Sequence, residues 1–234
     1  MIVAKGITKR IGSKEILRGI DLHIKPGQFV TVLGPNGAGK TSLLKILSLL
    51  VNPTEGELLI GGQKVEDNLV ELRKNIGVIS HNSFLYDRLT AYENLKFYGE
   101  MYGVDNLKER AFEVIEEVGL QYAMSDPVGT FSRGMQQRLS IARSIIHNPK
   151  VLFLDEPYTG LDQHAIGILN NVLAQLNKNG RTIFMITHNY EQGLELSDRI
   201  LIVYKGKITY QEETTSLGPA RFKQIYLEQV GGGH

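Results

Sequence analysis

Eight consecutive residues, Gly34-Pro35-Asn36-Gly37-Ala38-Gly39-Lys40-Thr41, constrain this chain more than any other stretch, because they follow the pattern G-x-x-x-x-G-K-[ST]. An apolar, β-prone run, Phe29-Val30-Thr31-Val32-Leu33, leads into them, and a helix-compatible run over residues 41–50 leads out. Glycine at Gly34, Gly37 and Gly39 lets the backbone take positive φ and approach an anion without a Cβ in the way. The backbone N–H groups of the stretch from Gly34 to Ser42, which besides its glycines includes Pro35 (without an N–H), Asn36 and Ala38, then converge on phosphate oxygens at the positive end of the following helix. Lys40 adds a full positive charge, and the Thr41 hydroxyl is placed to ligate Mg²⁺. A strand–loop–helix of this kind seats a nucleoside triphosphate.

The 234 residues suffice for one large domain, or a core with a subdomain. A net charge of +1 supplies no long-range pull toward nucleic acid or an anionic bilayer, so no nucleic-acid partner is expected. The absence of cysteine excludes disulfides, thiolate metal sites and iron–sulfur clusters, and suits a reducing cytoplasm. The N-terminus carries Lys5 and Lys9 and no long apolar core, unlike a signal peptide. The most apolar stretch, residues 43–51, is interrupted by Lys45 and too short to cross a bilayer. The expected location is cytoplasmic, with any membrane role exercised through a partner.

Residues 2–8 and 16–24 read as an antiparallel strand pair turned at Gly12-Ser13. After the phosphate loop and its helix, Asn52-Pro53-Thr54 is a stop, residues 56–60 return as a strand, and residues 76–80 form another. From about residue 85 to 148 the apolar spacing turns helical, as in Leu95, Tyr98 and Tyr102 or Leu139, Ala142, Ile145 and Ile146. Strands over 151–154 and 182–186, a helix over 162–176 and a hairpin over 200–210 follow. The fold class this predicts is α/β, a nucleotide-binding core with a mainly parallel sheet, an N-terminal antiparallel β-subdomain and an inserted helical subdomain. One domain is expected: core over 1–84 and 149–211, helical subdomain over 85–148 and a C-terminal tail over 212–234.

Val151-Leu152-Phe153-Leu154-Asp155-Glu156 is a buried-strand run ending in two carboxylates. Beside a phosphate loop, Asp155 would hold Mg²⁺ through water and Glu156 would polarise an attacking water. Phe131-Ser132-Arg133-Gly134-Met135-Gln136-Gln137-Arg138 opens a second helix with Ser132 as N-cap and Gly134 leaving room for a ligand. Those residues alone fit a plain capped helix at least as well. His188, by itself, reads equally as a surface or capping histidine.

Taken in order, these motifs resemble the ATP-binding subunits of ABC transporters over residues 2–210. The chain carries a Walker A loop, a signature around Ser132, a Walker B strand ending Asp155-Glu156-Pro157, a D-loop at Thr159-Gly160-Leu161-Asp162 and a switch histidine, His188. The resemblance implies ATP and Mg²⁺ as cofactors and a membrane permease as partner. It also implies a head-to-tail homodimer, with ATP between the Walker A loop of one copy and Ser132 and Gly134 of the other, and Asp162 of the D-loop as a further nucleotide-binding residue. Glu156 would be general base and His188 a γ-phosphate contact. The protein would sit on the inner face of the membrane through its permease.

Four positions, in three motifs, depart from the family pattern. Ile11 stands where an aromatic ring usually stacks on adenine. Arg133 and Met135 replace a glycine and a glutamine of the signature. His81 replaces the Q-loop glutamine that touches Mg²⁺ and the attacking water, which introduces a group able to change charge near neutral pH. His81, together with Leu89-Thr90-Ala91-Tyr92-Glu93-Asn94-Leu95, is similar to the ATPase of the haem exporter used in cytochrome c maturation. Export is the expected direction of transport. A non-transport ABC ATPase, of the translation or DNA-repair type, is the competing reading.

Overall fold

In the computed structural model, which describes residues 1–80 and 83–231, the chain forms two sheets. The first joins β1 (Ile2–Ile11) and β2 (Lys14–Ile24) as an antiparallel pair turned at Gly12-Ser13, then adds β4 (Glu55–Ile60) and β5 (Gln63–Lys64) in the order β2-β1-β4-β5. Ile2, Ala4 and Ile7 of β1, with Leu17, Ile20, Leu22 and Ile24 of β2, are buried while residues between them are more open, the alternation of a sheet covered on one face.

The second sheet contains β3 (Phe29–Leu33), β6 (Ile76–Ile79), β7 (Val151–Asp155), β8 (Thr182–Ile186), β9 (Arg199–Tyr204) and β10 (Lys207–Glu213), ordered β10-β9-β3-β8-β7-β6. Every pairing is parallel except β9 with β10. Each residue of β3, β7 and β8 is buried, which is why these three runs are nearly continuously apolar rather than alternating, with Thr31, Asp155 and Thr182 their polar members. Val30, Val32, Phe153 and Phe184 point into one cluster shared with the antiparallel sheet and α1 (Lys40–Leu47). Phe29, Leu152, Leu154 and Met185 point the other way, into a cluster shared with α3 (Ala91–Tyr102), α4 (Leu107–Glu117), α5 (Arg133–Ile145) and α6 (Gln163–Lys178). Thus the helices of residues 85–148 share a core with the sheet. A Cβ on Gly77 of β6 would lie 2.4 Å from the Ser144 carbonyl oxygen of α5, so this helix rests directly on the edge strand.

Local signals set the helix ends. Thr90 and Glu93 form a reciprocal capping box at α3, with Glu93 N–H donating to Thr90 Oγ1 at 3.1 Å and Thr90 N–H to Glu93 Oε2 at 2.8 Å. Helix α1 ends at Leu47, short of the expected residue 50. Leu49 turns left-handed with φ 62° to bury its side chain, and the N–H groups of Leu50 and Val51 fold back onto the Lys45 carbonyl. The hairpin strand β10 continues to Glu213, beyond the expected core end at 211. Three helices have no counterpart in the sequence reading: α2 (Leu69–Lys74), α7 (Tyr190–Leu196) and α8 (Pro219–Gly231). The last sets Phe222 among Leu33, Ile200, Ile202 and Tyr190, so much of the presumed tail is part of the packed structure.

Candidate functional site: the carboxyl edge of the parallel sheet

Strand order assembles the site. Because β8 lies between β3 and β7, the segment after β8, Thr187-His188, comes to rest between the phosphate loop and the Asp155-Glu156 pair. This is the carboxyl edge of a parallel sheet, where ligands of such folds bind.

The loop's glycines are dictated by close approach. A Cβ on Gly34 (φ 149°) would stand 2.1 Å from the Val203 carbonyl oxygen, and one on Gly39 (φ 106°) 2.8 Å from Leu17 Cδ2. The loop therefore threads between β9 and β2, and Gly39 serves as the left-handed N-cap of α1. The first turn of α1 holds no acidic residue, so its positive end is open to an anion. Lys40 lies along the loop, donating from Nζ to the Gly34 carbonyl at 2.7 Å and the Pro35 carbonyl at 3.1 Å. Burial pulls its pKa below the ordinary lysine value, against the carboxylates of Glu156 and Asp155, which favour the charged form.

A cavity of about 390 Å³ opens here, walled by loop residues Asn36 to Ser42, by Asp155, Glu156 and His188, and by Lys14 and Ile16 of β2. Asp155 is buried, and the Thr41 hydroxyl lies 3.5 Å from its Oδ1. A hydroxyl and one carboxylate fit Mg²⁺, which keeps several waters and takes the rest of its ligands from phosphate. Among the described residues no three His, Asp or Glu side chains close into an all-protein metal cage.

Glu156 occupies the left-handed region at φ 54°, a conformation that costs a non-glycine residue about 1–3 kcal/mol. Its N–H is tied to the Ile186 carbonyl of β8 at 2.9 Å, which turns the side chain toward His188. There Oε2 accepts the His188 N–H at 3.2 Å and Oε1 lies 3.0 Å from His188 Nε2. Burial raises the Glu156 carboxyl above its usual range, opposed by His188 and Lys40. The arrangement offers an anion cradle, a carboxylate with raised proton affinity and an imidazole against it. That is equipment for water attack on a phosphoryl group.

Other expected residues lie elsewhere. Ser132 caps α5, accepting the Met135 N–H at 3.2 Å, and Asp162 caps α6, accepting the Ala165 N–H at 2.8 Å. Neither residue, nor Gly134, lines the cavity of its own chain. Ile11 is 62% exposed at the end of β1 and also outside the cavity wall, although its register partner Lys14 is within it. His81 lies outside the described residues. The sequence reading missed Lys14 and Ile16. Their position just after the Gly12-Ser13 turn, on the strand that crosses the loop, was the available signal.

Comparison with known proteins agrees with this geometry. The family model described as "ABC transporter" matches residues 17–159. The chain is 37% identical over 210 residues to the linearmycin resistance ATP-binding protein LnrL of Bacillus subtilis, covering 89% of this chain and 68% of that protein. It is 35% identical to the lantibiotic transport ATP-binding protein SrtF of Streptococcus pyogenes, covering 98% of this chain and 97% of that protein. The solved dimeric post-hydrolysis structure of the ATP-binding cassette MJ0796, bound to ADP and Pi, superposes with a TM-score of 0.79. It is 29% identical and covers 93% of this chain and 100% of that chain. Fold, site and relatives converge: this chain belongs to the ABC transporter family, as an ATP-hydrolysing, ATP-binding subunit of a transport system.

Proposed function

We propose that the protein works as one of two identical subunits beneath a membrane permease, with Glu156 as general base and His188 as γ-phosphate contact. The observation that carries this reading is the Glu156–His188 pair held at 3.0 Å beside the phosphate loop. The loop amides and Lys40 receive the β- and γ-phosphates, while Thr41 and Asp155 would hold Mg²⁺, which would supply neutralisation of phosphate charge. Water attacks the γ-phosphorus, its proton passes to a Glu156 carboxylate oxygen, the bond to the β–γ bridging oxygen breaks, and ADP leaves. His188, bonded to Glu156 through its backbone N–H and with its ring nitrogen 3.0 Å from Oε1, is positioned to hold that carboxylate and the γ-phosphate in register. The base is covered by aliphatic side chains, Ile16 in the cavity wall and Ile11 beyond it.

Ser132, Gly134 and Asp162 lie outside the phosphate-loop cavity of their own chain, which supports a site completed by a second copy. The dimeric state of the MJ0796 structure supports the same arrangement. No helix among the described residues is long and apolar enough to cross a membrane. In this reading, contact with the bilayer goes through the permease. Phe84, Tyr86, Phe97, Met101 and Tyr102 form an exposed apolar group on and before α3, and Met101 is 69% exposed. A patch of this kind marks an interaction surface, and we assign it to the permease. Export is the proposed direction, in keeping with the resistance named for LnrL, and haem is the substrate to test first because of His81. Nothing supports the translation or DNA-repair reading. The deciding experiment is size exclusion of Glu156→Gln in excess Mg-ATP. An ATP-dependent dimer is expected, and a monomer throughout refutes the paired site. ATP-driven haem movement in vesicles carrying the chain with its permease tests the substrate.

A further inference from the structure

The start of α5 and the turn after β7 meet through two glycines. A Cβ on Gly134 would stand 2.9 Å from the Ala165 Cβ in the first turn of α6. A Cβ on Gly160 (φ 77°) would stand 2.5 Å from Arg133 Nη1 and 3.5 Å from both its Cδ and Cζ. The Arg133 side chain therefore lies along the bare Cα of Gly160. Among the described residues no carboxylate is within ion-pair distance of Arg133, so a salt bridge does not hold it there. The turn it covers begins at the general base. Thr159 N–H donates to the Glu156 carbonyl at 3.3 Å, and Leu161 N–H to the Tyr158 carbonyl at 3.2 Å. The Tyr158 ring is buried in the core and anchors the middle of the turn.

We propose that Arg133 is a positioning residue for hydrolysis, its guanidinium clamping Gly160 so that the turn fixes the backbone of Glu156. This rests on the reading of Glu156 as general base. The path runs from Arg133 to Gly160, through two turn hydrogen bonds, to a residue already held in the left-handed region. A backbone with that conformation stays in place only while its surroundings over-determine it. The Ile186 carbonyl holds it from the β8 side, and the Arg133 clamp holds it from the α5 side.

The test is a double-mutant cycle on full-length protein with steady-state phosphate release as readout, using Arg133→Ala, Gly160→Ala and the pair. Arg133→Ala should lower kcat about 3- to 10-fold, with KM for ATP and the thermal midpoint unchanged. The methyl of Gly160→Ala displaces the guanidinium, in addition to the strain that φ 77° imposes on alanine with or without Arg133. Its effect on kcat should therefore shrink at least about threefold when Arg133 is already alanine. Wild-type kcat in Arg133→Ala, a rise in KM alone, or effects that simply multiply in the double variant would each overturn the clamp. If Gly160→Ala fails to fold, the Arg133→Ala kcat and KM still decide. Glu156→Gln is the control that separates the two readings. Turnover retained in it sinks the general-base assignment, whereas turnover lost in it with normal Arg133→Ala sinks only the clamp.

Discussion

Replacing Glu156 by glutamine isolates one property of the site. The amide has the shape of the carboxyl, and its oxygen accepts the His188 N–H that Oε2 now accepts at 3.2 Å. What it lacks is the ability to take a proton from water. A positioned general base contributes roughly 10²–10⁴ in rate, so the barrier should rise by about 3–5 kcal/mol and kcat fall by at least about a hundredfold. Stability should move the other way. Burial raises the folded pKa of Glu156, so the folded state binds the proton more tightly than the unfolded chain does. Ionisation therefore costs stability as pH rises past the ordinary glutamate range, and at pH 7 the neutral amide escapes that cost. The variant should melt no lower than wild type and bind a fluorescent ATP analogue with equal affinity. Phosphate release at saturating Mg-ATP gives kcat. Turnover within about threefold of wild type would remove Glu156 from the chemistry. A large loss of nucleotide affinity would mean the substitution disturbed the loop instead.

Lys40→Ala deletes the buried cation of the loop; an ion pair at 4 Å carries about 4 kcal/mol at an effective dielectric near 20 before desolvation, so ATP affinity should fall at least tenfold. Unchanged affinity in the same titration would displace the phosphates from this loop. His147 stacks on Tyr102 at 3.9 Å and bonds the Ile76 carbonyl through Nε2 at 3.0 Å, with Arg143 and Arg110 nearby, and burial pushes its pKa below 6.5. The unfolded chain then binds the proton more tightly, so stability is greatest above pH 6.5 and falls as pH drops below it. Thermal midpoints between pH 7.5 and 5 should show a slope that flattens in His147→Gln; equal slopes contradict this. Phe222→Ala empties a fully buried ring site between α8, α7 and the sheet, which should cost about 3–5 kcal/mol and lower Tm by roughly 10 °C. A drop below about 2 °C would mean that α8 does not depend on this anchor.

The parts of the site readable from sequence were those where chemistry demands a residue type within a short window. Gly34 and Gly39 announce themselves because only glycine passes the Val203 carbonyl and Leu17, and Asp155-Glu156 because two carboxylates end an apolar strand. What stayed hidden depends on contacts between distant segments. Lys14 and Ile16 gain their place only when β2 lies across the loop, and their position after the Gly12-Ser13 turn is the one local mark they carry. The direct bond from His188 to Glu156 requires β8 to lie beside β7, which alternating elements suggest but cannot order. Helix α8 carries an apolar stripe in Phe222, Ile225, Tyr226 and Val230, at helical spacing. The early end of α1 is likewise a tertiary effect, since Leu49 leaves the helix to fill the core.

The placement of β3 has a consequence for synthesis on the ribosome. Its two sheet neighbours are β8 and β9, both made about 150 residues later. At 5–20 residues per second, the apolar run Phe29–Leu33 waits roughly 8–30 s with both hydrogen-bonding edges unmatched. During that interval β1, β2 and β4 can already pair with one another, because their partners are close in sequence. The nascent chain thus has an antiparallel sheet early and a nucleotide pocket only near the end, with one of its stickiest strands exposed in between. Its yield should be more sensitive to translation speed and chaperone supply than that of a protein whose strands pair in the order they emerge.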